Sequence, residues 1–189
     1  MYESFEELNK SINNCKNCKL CNNRKNIVFG EGNINANIMI IGEGPGEDED
    51  IQGRPFVGKS GQLMNRAFDG LGIDRDDIYI ANIVKCIPPN NRDLEIDEIA
   101  SCLNYLRNQV ILVKPKIIIL LGNVALKTIL GQEYSFTKVR GEFIEKKGIL
   151  YMPTYHPEML LRDDTKKIYF WEDIKRCTEK LKELNNIED

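Results

Sequence analysis

Residues 38–50 read IMIIGEGPGEDED: four apolar residues, then Gly42-Glu43-Gly44-Pro45-Gly46, then a run of acids. A short apolar run closed by Gly and Pro predicts a buried strand that feeds a tight loop. In open α/β sheets, such loops at the carboxyl ends of strands carry the ligand sites. The glycines allow a ligand to approach the backbone, and Glu43 stands between two of them. Two more runs of the same kind follow. Residues 78–84, IYIANIV, form a strand with Asn82 near its carboxyl end, and residues 117–121, IIILL, form a third that opens at Gly122 into a helix. Burying the amide of Asn82 costs free energy unless it is paired, so it either pins the next loop or reads a ligand.

Around these strands the apolar spacing predicts helices near residues 4–14, 60–71, 95–113, 122–130 and 169–184, with Ser60 capping the second. Further strands are expected at residues 137–145 and 149–152, and a short edge strand near residues 28–32. Strands alternating with helices imply parallel β-structure covered on both faces. The expected fold is therefore α/β, with one domain over residues 1–189. Three loops should then converge on one sheet edge, carrying Glu43, Asn82 and His156, the chain's single histidine.

Composition narrows the classes. With 42% hydrophobic and 29% charged residues, the chain has the balance of a globular protein. No apolar run approaches the roughly 20 residues that span a bilayer. The amino terminus, MYESFEELNK, lacks the basic and apolar regions of a secretory leader, so a cytoplasmic location is expected. A formal charge of −3 excludes coating of nucleic acid by bulk positive charge, while local basic islands at Lys16–Lys25, Lys138–Arg140 and Arg162–Lys167 remain.

Six cysteines in a cytoplasmic chain point to metal or catalysis before disulfides. CKNCKLC places Cys15, Cys18 and Cys21 at C-x-x-C spacing. Such a pair supplies half a site, and Cys86, Cys102 and Cys177 lie downstream. GRPFVGKS, residues 53–60, matches the P-loop string, but Pro55 removes an amide from the cradle and no strand immediately precedes it. No nucleotide cofactor is expected.

Taken in order, GEGPGEDED, GRPFVGKSGQ, NIVKC, Cys102 and HPEMLLR resemble the family 4, iron–sulfur type, uracil-DNA glycosylases, from about Cys15 to the final helix. The resemblance implies a three-layer α/β/α sandwich with a central four-stranded parallel sheet. It implies a structural [4Fe–4S] cluster on Cys15, Cys18, Cys86 and Cys102, a donor set that structural Zn²⁺ would also accept. It implies hydrolysis of the N-glycosidic bond of uracil in DNA, by a monomer whose partner is uracil-containing DNA. In the matching positions His156 stabilises the departing base, and Glu43 positions water or stabilises the sugar cation. Phe56 stacks on the base, Asn82 reads its edge, Gly44 offers a backbone N–H, and Glu49 reaches the pocket to help exclude thymine. Leu160, Leu161 and Arg162, read as exposed, fill the vacated stack and hold phosphate. The alternative is a non-enzymatic Fe–S DNA-binding or replication-accessory module.

Overall fold

A computed structural model describes residues 2–188. In chain order the elements are α1 (Phe5–Ile12), β1 (Glu31–Gly32), β2 (Ile38–Gly42), α2 (Glu47–Gln52), α3 (Lys59–Leu71), β3 (Tyr79–Asn82) and α4 (Ile96–Val113). They continue with β4 (Ile117–Leu121), α5 (Gly122–Ile129), α6 (Phe136–Val139), β5 (Ile144–Lys146), β6 (Ile149–Thr154), α7 (Pro157–Arg162) and α8 (Lys166–Glu188).

Every residue of β2, β3 and β4 is buried. That accounts for their unbroken apolar runs, since a strand covered on both faces gains from an apolar side chain at every position. The two-residue period sorts those side chains into two cores. Met39, Ile41, Ile118 and Leu120 pack with α1, α4 and α5, whereas Ile38, Ile40, Ile117 and Ile119 pack with α3, Leu160 of α7, and α8.

The expected four-stranded parallel sheet is corrected to a six-stranded mixed one, ordered β1-β3-β2-β4-β6-β5. Strands β3, β2, β4 and β6 run parallel, and β1 and β5 add antiparallel at the two edges. At two and three residues, the edge strands are too short to display a periodicity. The β5–β6 turn is a two-residue hairpin at Lys147-Gly148, both at positive φ (55° and 76°), the geometry of a type I′ turn. The strand expected over residues 137–145 begins only at Ile144. Before it, Val139 and Arg140 donate backbone N–H groups to Ser135 and Phe136, closing the single turn of α6. Helix α3 begins at Lys59 with Gly58 as its N-cap, so Ser60 is not the cap.

Chain connections leave β2 toward β3 and β4 toward β6, in opposite directions along the sheet. The crevice between β2 and β4 is thus the switch point where such sheets bind ligands. Gly42 and Gly122 stand at its two lips.

Candidate functional site

Two side chains meet over Gly42, and a third faces them from across the crevice. A β-carbon there would fall 2.4 Å from Asn82 Oδ1 and 2.6 Å from Phe56 Cζ, so only glycine leaves room for both. Asn82 reaches this point because it pairs in register with Gly42 at the end of β3. Across the crevice, His156 packs against Gly122, whose β-carbon would lie 3.2 Å from that of the histidine. The rings of Phe56 and His156 are 5.8 Å apart between centroids. As expected, the loops carrying Glu43, Asn82 and His156 leave the carboxyl ends of the parallel strands β2, β3 and β6 at one edge of the sheet, and Phe56 joins them there.

Phe56 is buried and held at φ 51°, in the left-handed region that non-glycine residues seldom occupy. Backbone strain of this kind persists only where the surroundings over-determine it. Here Glu49 does so: its Oε1 accepts the amides of Val57 (2.8 Å) and Gly58 (2.9 Å), and its Oε2 that of Gly46 (3.2 Å). Glu49 is spent on fixing the Phe56 loop to the Gly46 turn. The same bonds tie two amides of the P-loop-like string, those of Val57 and Gly58, to a carboxylate of the same chain. Asp50, the last of the acids in the opening stretch, is buried and accepts the amides of Lys25 and Asn26.

The groups in the crevice are less well provided for. Asn82 is 1% exposed, and its Oδ1 has no hydrogen-bond partner among the described residues. An unpaired buried acceptor costs about 1–3 kcal/mol. His156 caps α7, and its Nδ1 accepts the Glu158 amide at 3.2 Å. The neutral ring must then carry its proton on Nε2. Burial holds the imidazole below its ordinary pKa, against the opposing pull of Glu158 and Glu49, so the ring is a neutral donor near pH 7. The Glu43 carboxylate makes no hydrogen bond or ion pair among the described residues. Its pKa is raised, first by burial and then by the charges of Asp93 and Glu158. Gly44 follows it in the same turn, tight against Val84, where a β-carbon would approach Val84 Cγ2 to 2.9 Å.

Of Leu160, Leu161 and Arg162, the last two are exposed, but Leu160 is fully buried in the core beneath α7. The expectation that Leu160 is exposed is corrected. A helix, not an extended loop, follows Pro157 and turns that side chain inward.

A second assembly stands beside β3. Cys15, Cys18, Cys21, Cys86 and Cys102 line one recess together with Arg24 and Lys85. Among the described residues, no three His, Cys, Asp or Glu side chains are placed to close round a metal ion. The donor set nonetheless fits a thiolate-bound group, with soft ligands drawn from three separate elements to one apolar hollow. Burial raises the pKa of Cys18, Cys86 and Cys102, the last to about 11, which by itself favours the thiol over the thiolate. Only a bound cation reverses that preference. Arg24 donates to Cys86 Sγ at 3.4 Å and to the Cys15 carbonyl at 2.8 Å. Cys177 lies elsewhere, buried in the opposite core.

Lys85 was not foreseen. It is completely buried, and its ammonium donates to the Asn82 carbonyl (2.8 Å) and Gln109 Oε1 (2.6 Å). Burial depresses its pKa to about 7. The sequence signal was a lysine inside an otherwise apolar run next to a cysteine.

Comparison with known proteins gives a consistent result. The model of the uracil DNA glycosylase superfamily matches residues 29–182. A type-4 uracil-DNA glycosylase of Sulfurisphaera tokodaii is 44% identical over 186 residues, covering 94% of this chain and 84% of the relative. One from Thermotoga maritima is 43% identical over 168 residues, with 88% of both chains covered. Another, from Saccharolobus solfataricus, is 43% identical over 188 residues, covering 95% and 87%. The chain that brings Asn82, Phe56 and His156 together at the switch point of its sheet belongs to the type-4 uracil-DNA glycosylase family.

Proposed function

We propose that the protein is a monofunctional glycosylase that hydrolyses the N-glycosidic bond of deoxyuridine in DNA. The observation that carries this reading is the buried Asn82 amide, its Oδ1 unpaired, facing Phe56 across Gly42. A flat heterocycle stacked on Phe56 and presenting adjacent N–H and C=O groups would satisfy it, and the uracil N3–H and O4 edge is such a surface. Cytosine offers no N3–H. A base inside a duplex cannot reach this crevice, so the nucleotide must be flipped out.

Cleavage leaves negative charge on the uracil ring and positive character on the sugar. His156 Nε2–H is the donor for the developing anion at O2, and a neutral imidazole loses no proton to bulk water in that role. A donor fixed in advance in a site shielded from water does more than one that must reorient. Glu43, unencumbered by hydrogen bonds, faces the sugar side. It holds the attacking water and stabilises the cation once ionised. Gly44 supplies a backbone N–H, and Glu49 keeps Phe56 in its strained position. Leu161 and Arg162, both exposed on α7, would enter the vacated stack and meet phosphate.

Cys15, Cys18, Cys86 and Cys102 would hold a [4Fe–4S] cluster, with Cys21 on the rim of the same recess. Bound there, it would act as a cross-link, tying the amino-terminal loop to the segment after β3 and to α4.

The test is a single-turnover assay on an oligonucleotide carrying one uracil, read by alkaline cleavage at the abasic site, with EDTA present. Release of uracil by wild type and its strong slowing in His156→Ala is the expected result. Protein that binds the oligonucleotide and retains visible cluster absorption, but releases no base, would overturn the enzymatic reading in favour of a DNA-binding module.

A further inference from the structure

His156 does no work unless its ring is held, and β6 delivers it from a segment that is clamped residue by residue. Pro153 accepts the Gly141 amide at 2.8 Å. Thr154 is fully buried and pairs in register with Leu121 of β4. Its Oγ1 donates to Asp173 Oδ2 at 2.6 Å. Tyr155 lies beneath the Arg140 guanidinium and the Lys166 ammonium, 5.7 and 5.6 Å from its ring centroid.

Asp173 is the hub. It projects from α8 and is 1% exposed, yet both its oxygens are occupied. Arg140 Nη1 donates to Oδ1 at 2.8 Å and Oδ2 at 3.0 Å, while Thr154 takes the second site on Oδ2. Gly141 sits so close that a β-carbon would fall 2.7 Å from Asp173 Oδ1. Arg176, one turn along α8, donates to the Gly141 carbonyl. A carboxylate is expensive to bury, and simple packing of α8 on β6 would be served by an apolar residue. What the charge adds is direction: it draws the Arg140 turn and the hydroxyl two residues before His156 to one fixed point.

We infer that Asp173 is a positioning residue for His156, acting through the Thr154 hydroxyl, so that α8 sets the reach of the donor toward the base. This rests on the glycosylase reading above. A misplacement of about 1 Å at a reacting group can cost on the order of 10²-fold in rate.

The experiment is a double-mutant cycle on uracil release under single-turnover conditions. Thr154→Val keeps the side-chain shape and removes the donor. The expected result is a fall in the rate at saturating enzyme of about 10-fold, with little change in the half-saturating concentration. Thr154→Ser restores most of the rate. In the His156→Ala background, Thr154→Val should add no further loss, because the residue through which it acts is gone. Asp173→Ala should match Thr154→Val in the same cycle if it folds, and the threonine variants decide the question if it does not.

An equal loss in both backgrounds would overturn the inference, as would a lowered melting temperature with an unchanged rate per folded molecule. Failure of wild type to release uracil would remove the glycosylase reading itself. That outcome is distinguishable because it precedes any substitution.

Discussion

Asn82 and Cys86 are four positions apart on one segment, and each belongs to a different unsatisfied place. At the strand ends, a buried amide oxygen lacks a donor. In the recess behind, buried thiols face one another across an apolar hollow. The contrast lies in what would relieve each. A neutral ligand with an N–H and a carbonyl completes the first, whereas the second is completed only by a cation that strips protons from sulfur. Glu49, Asp50 and Asp173, by comparison, have their oxygens fully engaged within the chain. On the proposed reading, incomplete bonding marks both places, and its chemical character would separate a substrate pocket from a structural centre.

The largest expected effect tests the recess. Cys86→Ala and Cys102→Ala should purify without iron and lose stabilisation on the order of 10 kcal/mol, the scale of structural zinc in small domains. Iron analysis and thermal denaturation with and without chelator would measure it. Cys21→Ala should keep its iron, and equal loss there would show that the ligand set has been drawn wrongly.

Next comes the donor. His156→Ala should lower the single-turnover rate by about 10²–10³-fold while lowering the melting temperature by only about 2–4 °C, the loss of the α7 cap.

Asn82→Leu sharpens the comparison most directly. Removing an unpaired buried amide should raise stability by about 1–2 kcal/mol while uracil release collapses. Urea denaturation beside the activity assay would detect the opposed signs. A loss of stability would mean that the amide is already satisfied.

The smallest effect concerns Glu43. Its raised pKa places the acid limb of the rate profile above the ordinary glutamate range, since the ionised form is needed. Asp93→Asn, by removing a like charge, should move that limb to lower pH. The sign for stability runs the other way. A carboxyl whose folded pKa is raised helps folding below its unfolded pKa, and that contribution is lost as pH climbs through the folded value. Glu43→Gln should therefore melt above wild type at neutral pH and lose that advantage in acid. Scanning calorimetry at two pH values would test this.

Much of the fold was legible because three strands are buried on both faces and so announce themselves as apolar runs. The rule that ligand loops gather at strand ends was enough to bring the Glu43, Asn82 and His156 loops to one edge, whereas Phe56 was legible only through the family resemblance. What stayed hidden depended on partners distant in sequence. Asp50 is buried because amides 24 and 25 residues earlier reach it. Glu49 turned out to bind its own loop, because nothing local reveals that the Val57 and Gly58 amides point back at it. Leu160 faces the core because α7 starts immediately after His156, and a six-residue helix shows less than two turns of pattern. Residues 137–145 carry β-branched and aromatic side chains at intervals that suit a strand, and only the Ser135 turn redirects them. Asp173 gave no sign at all: its importance arises when α8 crosses β6.

The short edge strands have a consequence for the protein in concentrated solution. A long parallel core with bare edges would offer a row of free amides and carbonyls to any extended chain nearby. Here β1 ends the ladder after two residues, and β5 after three, with Glu145 and Lys146 facing solvent. A stray strand finds almost nothing to zip onto and meets charge where it tries. The most apolar part of the molecule is thereby kept out of reach of aggregation through its edges, without a helix having to be spent on covering them.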